Sequence, residues 1–393
     1  MKERKYKIMN NFTFVGKIQA IKDTESFHPV EKKTFDSGWS MTTVKFNCIS
    51  GTNRIMCLVQ GGKWNDEKKN VVKTIAKTVT KEDGSVTRGE KIEIPWNKRF
   101  DEKEIEKVAG YRKFVVDLGD AQMRYALQNA VKAFEEGNIT DELIAKTGCN
   151  TLEDAKVALE KSMARRHVFL AESDFADFMV KVVASDKIKD TLFRISGYQE
   201  AQYNAEKDRF YVNYRVNRVD IAKEGLNPVT DMNIDFYFGK DCINDDDFDE
   251  TGVGYINGYT TYFDNMVKKN GFMPMTLVVR DKAKLNVMKK RLVVDDDEIK
   301  NVGFVGEVIQ GANMSAITME DLSDEDREDI ECGLVTFEDL VAARGGQKVG
   351  DYITEIRLSG WNARKKTIED TTYTVDDMHP ARADVNEDDD DIL

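Results

Sequence analysis

Residues 209–219, RFYVNYRVNRV, alternate between two kinds of side chain along their whole length. Phe210, Val212, Tyr214 and Val216 fall on one face; Arg209, Tyr211, Asn213, Arg215 and Asn217 fall on the other. A period of two suits a strand with one face buried and one wet, so the chain must build an antiparallel sheet. Residues 42–49 repeat the pattern, with Val44, Phe46 and Cys48 set against Thr43, Lys45 and Asn47. The turn Ser50-Gly51-Thr52-Asn53 then leads into a hairpin partner over 54–60, ended by Gly61-Gly62-Lys63-Trp64. The β-rich stretch 12–21 carries Gly16, which marks a bulge or bend. Further strands are expected over 91–94, 112–117, 191–198, 232–238, 253–263, 275–280, 302–310 and 352–358.

The period changes in the middle. Met123, Leu127, Val131 and Phe134 stand near helical spacing, Thr140 and Thr151 read as N-caps, and Ser173 opens another helix. A last helical segment covers 323–343, interrupted at Gly333. One order occurs twice, over 12–62 and again from 191 to 239: strand with glycine, polar loop, alternating basic strand, turn, strand ending in glycine. The expected fold class is therefore mainly β with a helical insertion (α+β), built on a repeated small β-domain. The expected divisions are 1–118, a helical insertion at 119–188, a second β-domain at 189–373 with a C-terminal helix and strand, and a disordered acidic tail at 374–393. The strand at 352–358 can complete either β-domain.

Composition removes several classes. With 393 residues, 41% apolar and 33% charged, the chain is neither globally disordered nor membrane-spanning, and a cytoplasmic location is expected. The 5 cysteines are scattered without a CxxC pair, which argues against a disulfide framework or a zinc site. The sequence lacks GxxxxGK[ST], GxSxG and HExxH, so no catalytic residue is expected. Asp245, Asp246, Asp247, Asp249 and Glu250 lack EF-hand spacing, and Asp295 to Glu298 read as a solvated loop, so no metal or cofactor is expected.

Net charge is −13, which taken alone opposes nucleic-acid binding. Its distribution changes the argument. Residues 376–393 hold eight acids and one base, and further acid sits at 245–250, 295–298 and 319–331. The remaining body is basic, with Lys and Arg interleaved among aromatics. Single strands bind without sequence readout by stacking bases on aromatics within a basic groove. The candidates for that role are Trp39, Lys45, Arg54, Lys63 and Trp64 on the first sheet. A second group is Trp96, Lys98, Arg99, Phe100, Tyr111 and Arg112. The second sheet offers Arg209, Tyr211, Arg215, Arg218 and Tyr237. Trp39 and Trp64 stand out because each is expected in a polar loop beside Gly38, Gly61 or Gly62. Phe210, Phe236 and Phe238 are expected in the core.

The C-terminal tip is the most specific signal. Asn386-Glu-Asp-Asp-Asp-Asp-Ile-Leu393 is an acidic run ending in two apolar residues. It resembles the tip of the single-stranded DNA-binding proteins of bacteria and their phages, with Asp388, Asp389, Asp390 and Asp391 matching the acidic part and Ile392 and Leu393 the apolar end. It departs from the bacterial pattern, which ends in proline and phenylalanine. The resemblance implies OB-like antiparallel β-barrels, two in a chain of this length, closest to a large phage version. It implies non-catalytic binding and protection of single-stranded DNA in replication, recombination and repair. It also implies a tail that competes with DNA and recruits replication or recombination proteins. Two such units in one chain would let it act as a monomer. Two rivals are a single-strand annealing or recombination mediator and a phage structural or interaction protein that binds no DNA.

Overall fold

The computed structural model describes residues 10–80, 86–87, 89–265, 267–343 and 347–381. Strand β1 (Asn11–Ala20) is followed by the exposed edge strand β2 (Val30–Thr34) and by a long hairpin of β3 (Trp39–Ser50) and β4 (Asn53–Trp64). The hairpin turn needs Gly51, whose φ is +59°. A side ribbon comprises β5 (Val71–Ile75), β6 (Val79–Thr80), β7 (Val86–Thr87) and β8 (Lys91–Pro95). It meets helix α1 (Glu102–Lys107), and Val72, Ile94, Val108 and Leu170 form a small core there.

Strand β9 (Phe114–Asp117) leads into α2 (Ala121–Glu136), α3 (Asp141–Thr147) and α4 (Leu152–Met163). The expected caps are present: Thr140 accepts from Leu143 N and Thr151 from Asp154 N. β10 (Arg166–Phe169) returns beside β9, and α5 (Glu172–Val183) follows. The expected insertion at 119–188 is therefore interrupted: β10 belongs to the sheet, and α5 packs on β3 and β4.

The second half holds β11 (Leu192–Asn204), β12 (Arg209–Ile221), β13 (Val229–Phe238) and β14 (Ile243–Asn244). Helix α6 (Phe248–Thr251), β15 (Gly254–Asp264), β16 (Lys269–Val279) and α7 (Lys282–Arg291) follow. Then come β17 (Glu298–Ala316), α8 (Asp324–Glu331), α9 (Phe337–Ala343), β18 (Gln347–Trp361) and β19 (Glu369–Thr374). The protein is mostly β, with one large sheet and a few helices.

Two sets of pairings each return to their start. In the first, β1 pairs with β3, β3 with β4, β4 runs parallel to β12, β12 pairs with β11, and β11 pairs back to β1. In the second, β13 pairs with β15, β15 with β16, β16 runs parallel to β18, β18 pairs with β17, and β17 pairs back to β13. Helices stand between the third and fourth strands of each set in chain order, α1 to α5 in the first, with α5 packed on β3 and β4, and α7 alone in the second. Each also shifts register at a glycine, Gly197 in β11 and Gly306 in β17. At Gly197 a Cβ would stand 1.8 Å from the Arg215 carbonyl oxygen, so glycine is required there.

The repeat is therefore present, but its phase differs from the expected one. β11 and β12 close the first set and do not open a second domain at 189. The counterpart of β1 is β13, and these two strands join the sets by antiparallel pairing from Phe12↔Met232 to Val15↔Val229. The strand at 352–358, which the sequence leaves open, lies within β18 and joins the second set. A single apolar core runs through both. Each long hairpin also leans on the other set: Phe210 packs edge-on against Tyr262 at 5.4 Å, and Gln310 N donates to Asn53 Oδ1 at 3.2 Å.

The chain stays ordered past the expected start of the tail. Phe272 N donates to the His379 carbonyl at 2.9 Å, Ala381 N donates to Tyr262 Oη at 3.0 Å, and Ala381 is buried against Gly271. Met378 packs on Tyr237, Phe272 and Ile299. The tail boundary therefore moves from 374 to beyond 381; Asp388 to Leu393 lie outside the described residues. A chain ending after Ala381 should keep the full urea midpoint. One ending after Thr374 should lose about 2–4 kcal/mol, because it strips a hydrogen-bond partner and apolar cover from the second core.

Candidate nucleic-acid interface

The register of β3 and β4 sorts their side chains. Trp39 stands opposite Trp64, Met41 opposite Gly62, Thr43 opposite Gln60, Lys45 opposite Leu58, and Ile49 opposite Arg54. These residues share the outer face, while Val44, Phe46, Cys48, Ile55 and Cys57 are buried inside. The two tryptophans are thus strand residues at the open end of the hairpin, not loop residues as expected from their glycines. Their rings meet edge to face at 5.2 Å and 74°. Gly62 makes room for this: a Cβ there would lie 2.3 Å from Trp39 Cζ2. Gly61 serves α5 instead, lying against the Glu172 backbone. Phe35, Ser37 and Met41 complete a shallow apolar cleft around the pair.

Three cations are spread along this face: Lys33 beside the cleft, Lys45 six residues along β3 from Trp39, and Arg54 at the hairpin turn, about 33 Å from Trp64. Lys33 Nζ lies 5.0 Å from the Phe35 ring centroid, Lys45 Nζ lies 4.8 Å from that of Phe27, and Arg54 Nη2 donates to Gln19 Oε1 at 2.7 Å. Among the described residues no carboxylate pairs with any of the three. Lys33 shares the Met41 side of the ladder through β2. The face therefore combines half-buried indole surface with charge that meets no counterion among the described residues.

The other expected residues lie elsewhere. Lys63 points to the opposite side of the hairpin from Trp64, where Asp177 holds Lys32 at 2.9 Å and Lys63 at 3.5 Å. Burial raises the Asp177 pKa, but Lys32, Lys63 and Thr42 outweigh it and hold the carboxyl below its usual range. Arg99 is paired with Asp174 at 2.6 Å and sandwiched near the Trp96 and Phe100 rings at 4.0 and 4.3 Å, a structural clamp on the start of α5. Lys98 is exposed on the same turn.

Arg215 is only 11% exposed at its side chain. It donates to Gln60 Oε1 at 2.8 Å and to the Gln60 carbonyl at 3.1 Å, with Glu200 and Glu172 at 3.5 and 3.6 Å. Burial raises the Glu172 pKa above the usual carboxylate range, and Glu200 adds to it against Arg215. Arg218 is paired with Asp220 at 2.5 Å. Tyr111 and Arg112 sit together on an exposed turn, and Arg209 and Tyr211 at the end of the β11–β12 hairpin, both pairs 5.6 Å apart. Tyr237 is 1% exposed and packs edge-on against Phe272, so it is a core residue and leaves the candidate set. Of the expected residues, the structure gathers Trp39, Trp64, Lys45 and Arg54 on one face.

Sequence reasoning missed Phe27, Lys33, Phe35 and Met41, which complete that face. It also missed Tyr255, Tyr259 and Phe263, which share the outer side of β15. Their signal was present: every fourth residue of an alternating strand is aromatic at the polar phase.

No protein-family model matches the chain, and no curated protein matches it. Among solved structures, the chain is similar to the wild-type single-stranded DNA binding protein from Thermus aquaticus. The identity is 9% and the TM-score 0.29, over 96% of this chain and 97% of that one. It is also similar to a deletion mutant of that protein, with 8% identity and a TM-score of 0.27, over 77% of this chain and 87% of that one. Similarity this low carries no assignment. Among the described residues no helix is long and apolar enough to cross a membrane, and no group of three or more His, Cys, Asp or Glu could hold a metal ion.

Proposed function

We propose that this chain binds single-stranded DNA without catalysis, along the outer face of β3 and β4. The observation that carries the reading is the one face that holds the Trp39–Trp64 cleft together with Lys33, Lys45 and Arg54, none of which meets a carboxylate among the described residues. Bases stack on the indoles while the cations replace phosphate counterions. In this reading each closed set of pairings is an OB-type barrel. Each has five strands in the order first, second, third, fifth, fourth, with a helix between the third and fourth. The units then run over 10–221 and from 229 onward. The acidic tail competes with DNA for the face and recruits replication or recombination proteins of the host or phage. The local cations prevail over a net charge of −13 because screening confines distant charge to about 8 Å at physiological salt.

Titrating a fluorescein-labelled poly-dT strand at several salt concentrations tests this. Three neutralised phosphates predict a log–log salt slope of about −2. A chain cut after Ala381 should bind more tightly than the full chain, because it loses the acidic run. Failure of both chains to bind even at low salt overturns the reading.

A further inference from the structure

We infer that the outer face of β15 and β16 is a second binding site, specific for unpaired bases, which works by stacking and adds little phosphate neutralisation. This rests on the single-strand reading above and divides the labour between the two units. β15 and β16 occupy in the second set the place of β3 and β4 in the first. Val278 neighbours Arg357 across a parallel pair, as Leu58 neighbours Arg215. Tyr255, Tyr259 and Phe263 recur at four-residue steps along one side of β15, about 13 Å apart. Tyr255 is 41% exposed and Phe263 48%. Tyr259 between them is partly buried against Tyr237 and Phe272, so the free rings are the two outer ones, about 26 Å apart; exposing each costs solvation free energy that a stacked base would recover. Between them, Asn257 accepts a hydrogen bond from Thr276 Oγ1 at 2.8 Å, which fixes the amide and leaves its N–H groups for a base edge.

The charge on this face differs from that of the first unit. Its arginines, Arg280 and Arg357, share one carboxylate, Glu355, at 3.2 and 2.5 Å. A phosphate approaching them must displace Glu355. At Lys33, Lys45 and Arg54 it displaces no carboxylate of the described residues, and at Arg54 only the neutral Gln19 amide. The second face therefore keeps the stacking half of single-strand binding without the salt-dependent half.

The test compares the full chain with its Y255A/F263A variant on dT strands of about 8 and about 30 nucleotides, lengths that fill one unit or both. Both side chains are half in solvent, so the variant should fold, which its urea midpoint checks. The expected result is unchanged affinity for the short strand and about a tenfold loss for the long one. The salt slope on the long strand should stay the same. A long strand that lacks bases should show no difference between the two proteins. Equal affinity of both proteins for the long dT strand overturns the second site. A slope reduced by a full phosphate overturns the stacking assignment. Failure of the unaltered chain to bind either length overturns the single-strand reading itself.

Discussion

Replacing Trp39 and Trp64 together with alanine should weaken single-strand binding by at least about 100-fold, while leaving the thermal midpoint within a few degrees. A stacked base contributes about 1–3 kcal/mol, and the pair offers the largest aromatic surface on the β3–β4 face. The two changes should not add. The rings touch at 5.2 Å, so removing one lets the other settle onto the space it leaves. Each single variant should therefore lose only about 5- to 8-fold, and the double variant more than their product. Stability should change little because both rings are partly in solvent and the inner face beneath them is filled by other residues. Anisotropy titration checks the affinity. Tryptophan fluorescence gives a second reading, since Trp96 and the buried-side Trp361, stacked on Phe304, remain as internal references. Tyr111→Ala is the matched control: that ring is 70% exposed but lies off the face, and its removal should change nothing. Equal losses from Tyr111→Ala and from the tryptophan pair would show general surface binding in place of a site.

Much of this fold is visible in the sequence because it is written in local periodicity. The period-two pattern places β3, β4, β12 and β13. The threonines before α3 and α4 cap them as their spacing requires, and Gly16 lies where β1 passes from β13 to β3. What periodicity does not encode is the partner. β12 closes the first set by lying parallel to β4, more than 150 residues earlier, at Tyr214↔Cys57. Nothing in residues 209–221 names that partner, so the repeat was set out of phase. Tyr237 fails for a related reason. Alternation sends it outward from Phe236 and Phe238, yet Phe272, Tyr373 and Met378 cover that side too. The basic candidates divide by their carboxylates: Lys63, Arg99, Arg215 and Arg218 all meet one in space, whereas Lys45 and Arg54 meet none among the described residues. Sequence shows that a strand is basic; only packing shows which of its charges are already used.

Arg124→Met should destabilise the fold by about 3–5 kcal/mol. Arg124, in the first turn of α2, sends both terminal nitrogens to Asp117, the last residue of β9, at 2.7–3.1 Å. Both side chains are buried, and Asp117 also accepts from Gly119 N at 3.1 Å. Removing the guanidinium leaves a carboxylate out of water with only that amide and Arg166, at 3.9 Å, to answer it. The consequence reaches the sheet because Asp117 pairs with Asp220 in β12, which closes the first set of pairings. The partner change separates pairing from mere packing. Asp117→Leu with Arg124→Met removes both charges and fills the space with apolar atoms. It should cost much less than the sum of the two single changes, and should come near the stability of the unaltered chain. Urea unfolding of the four proteins measures that cycle. Because neither side chain reaches the surface, all four should bind poly-dT equally while folded. A double variant as unstable as the sum of the singles would mean that the volume of these side chains, not their charge, holds α2 to the sheet.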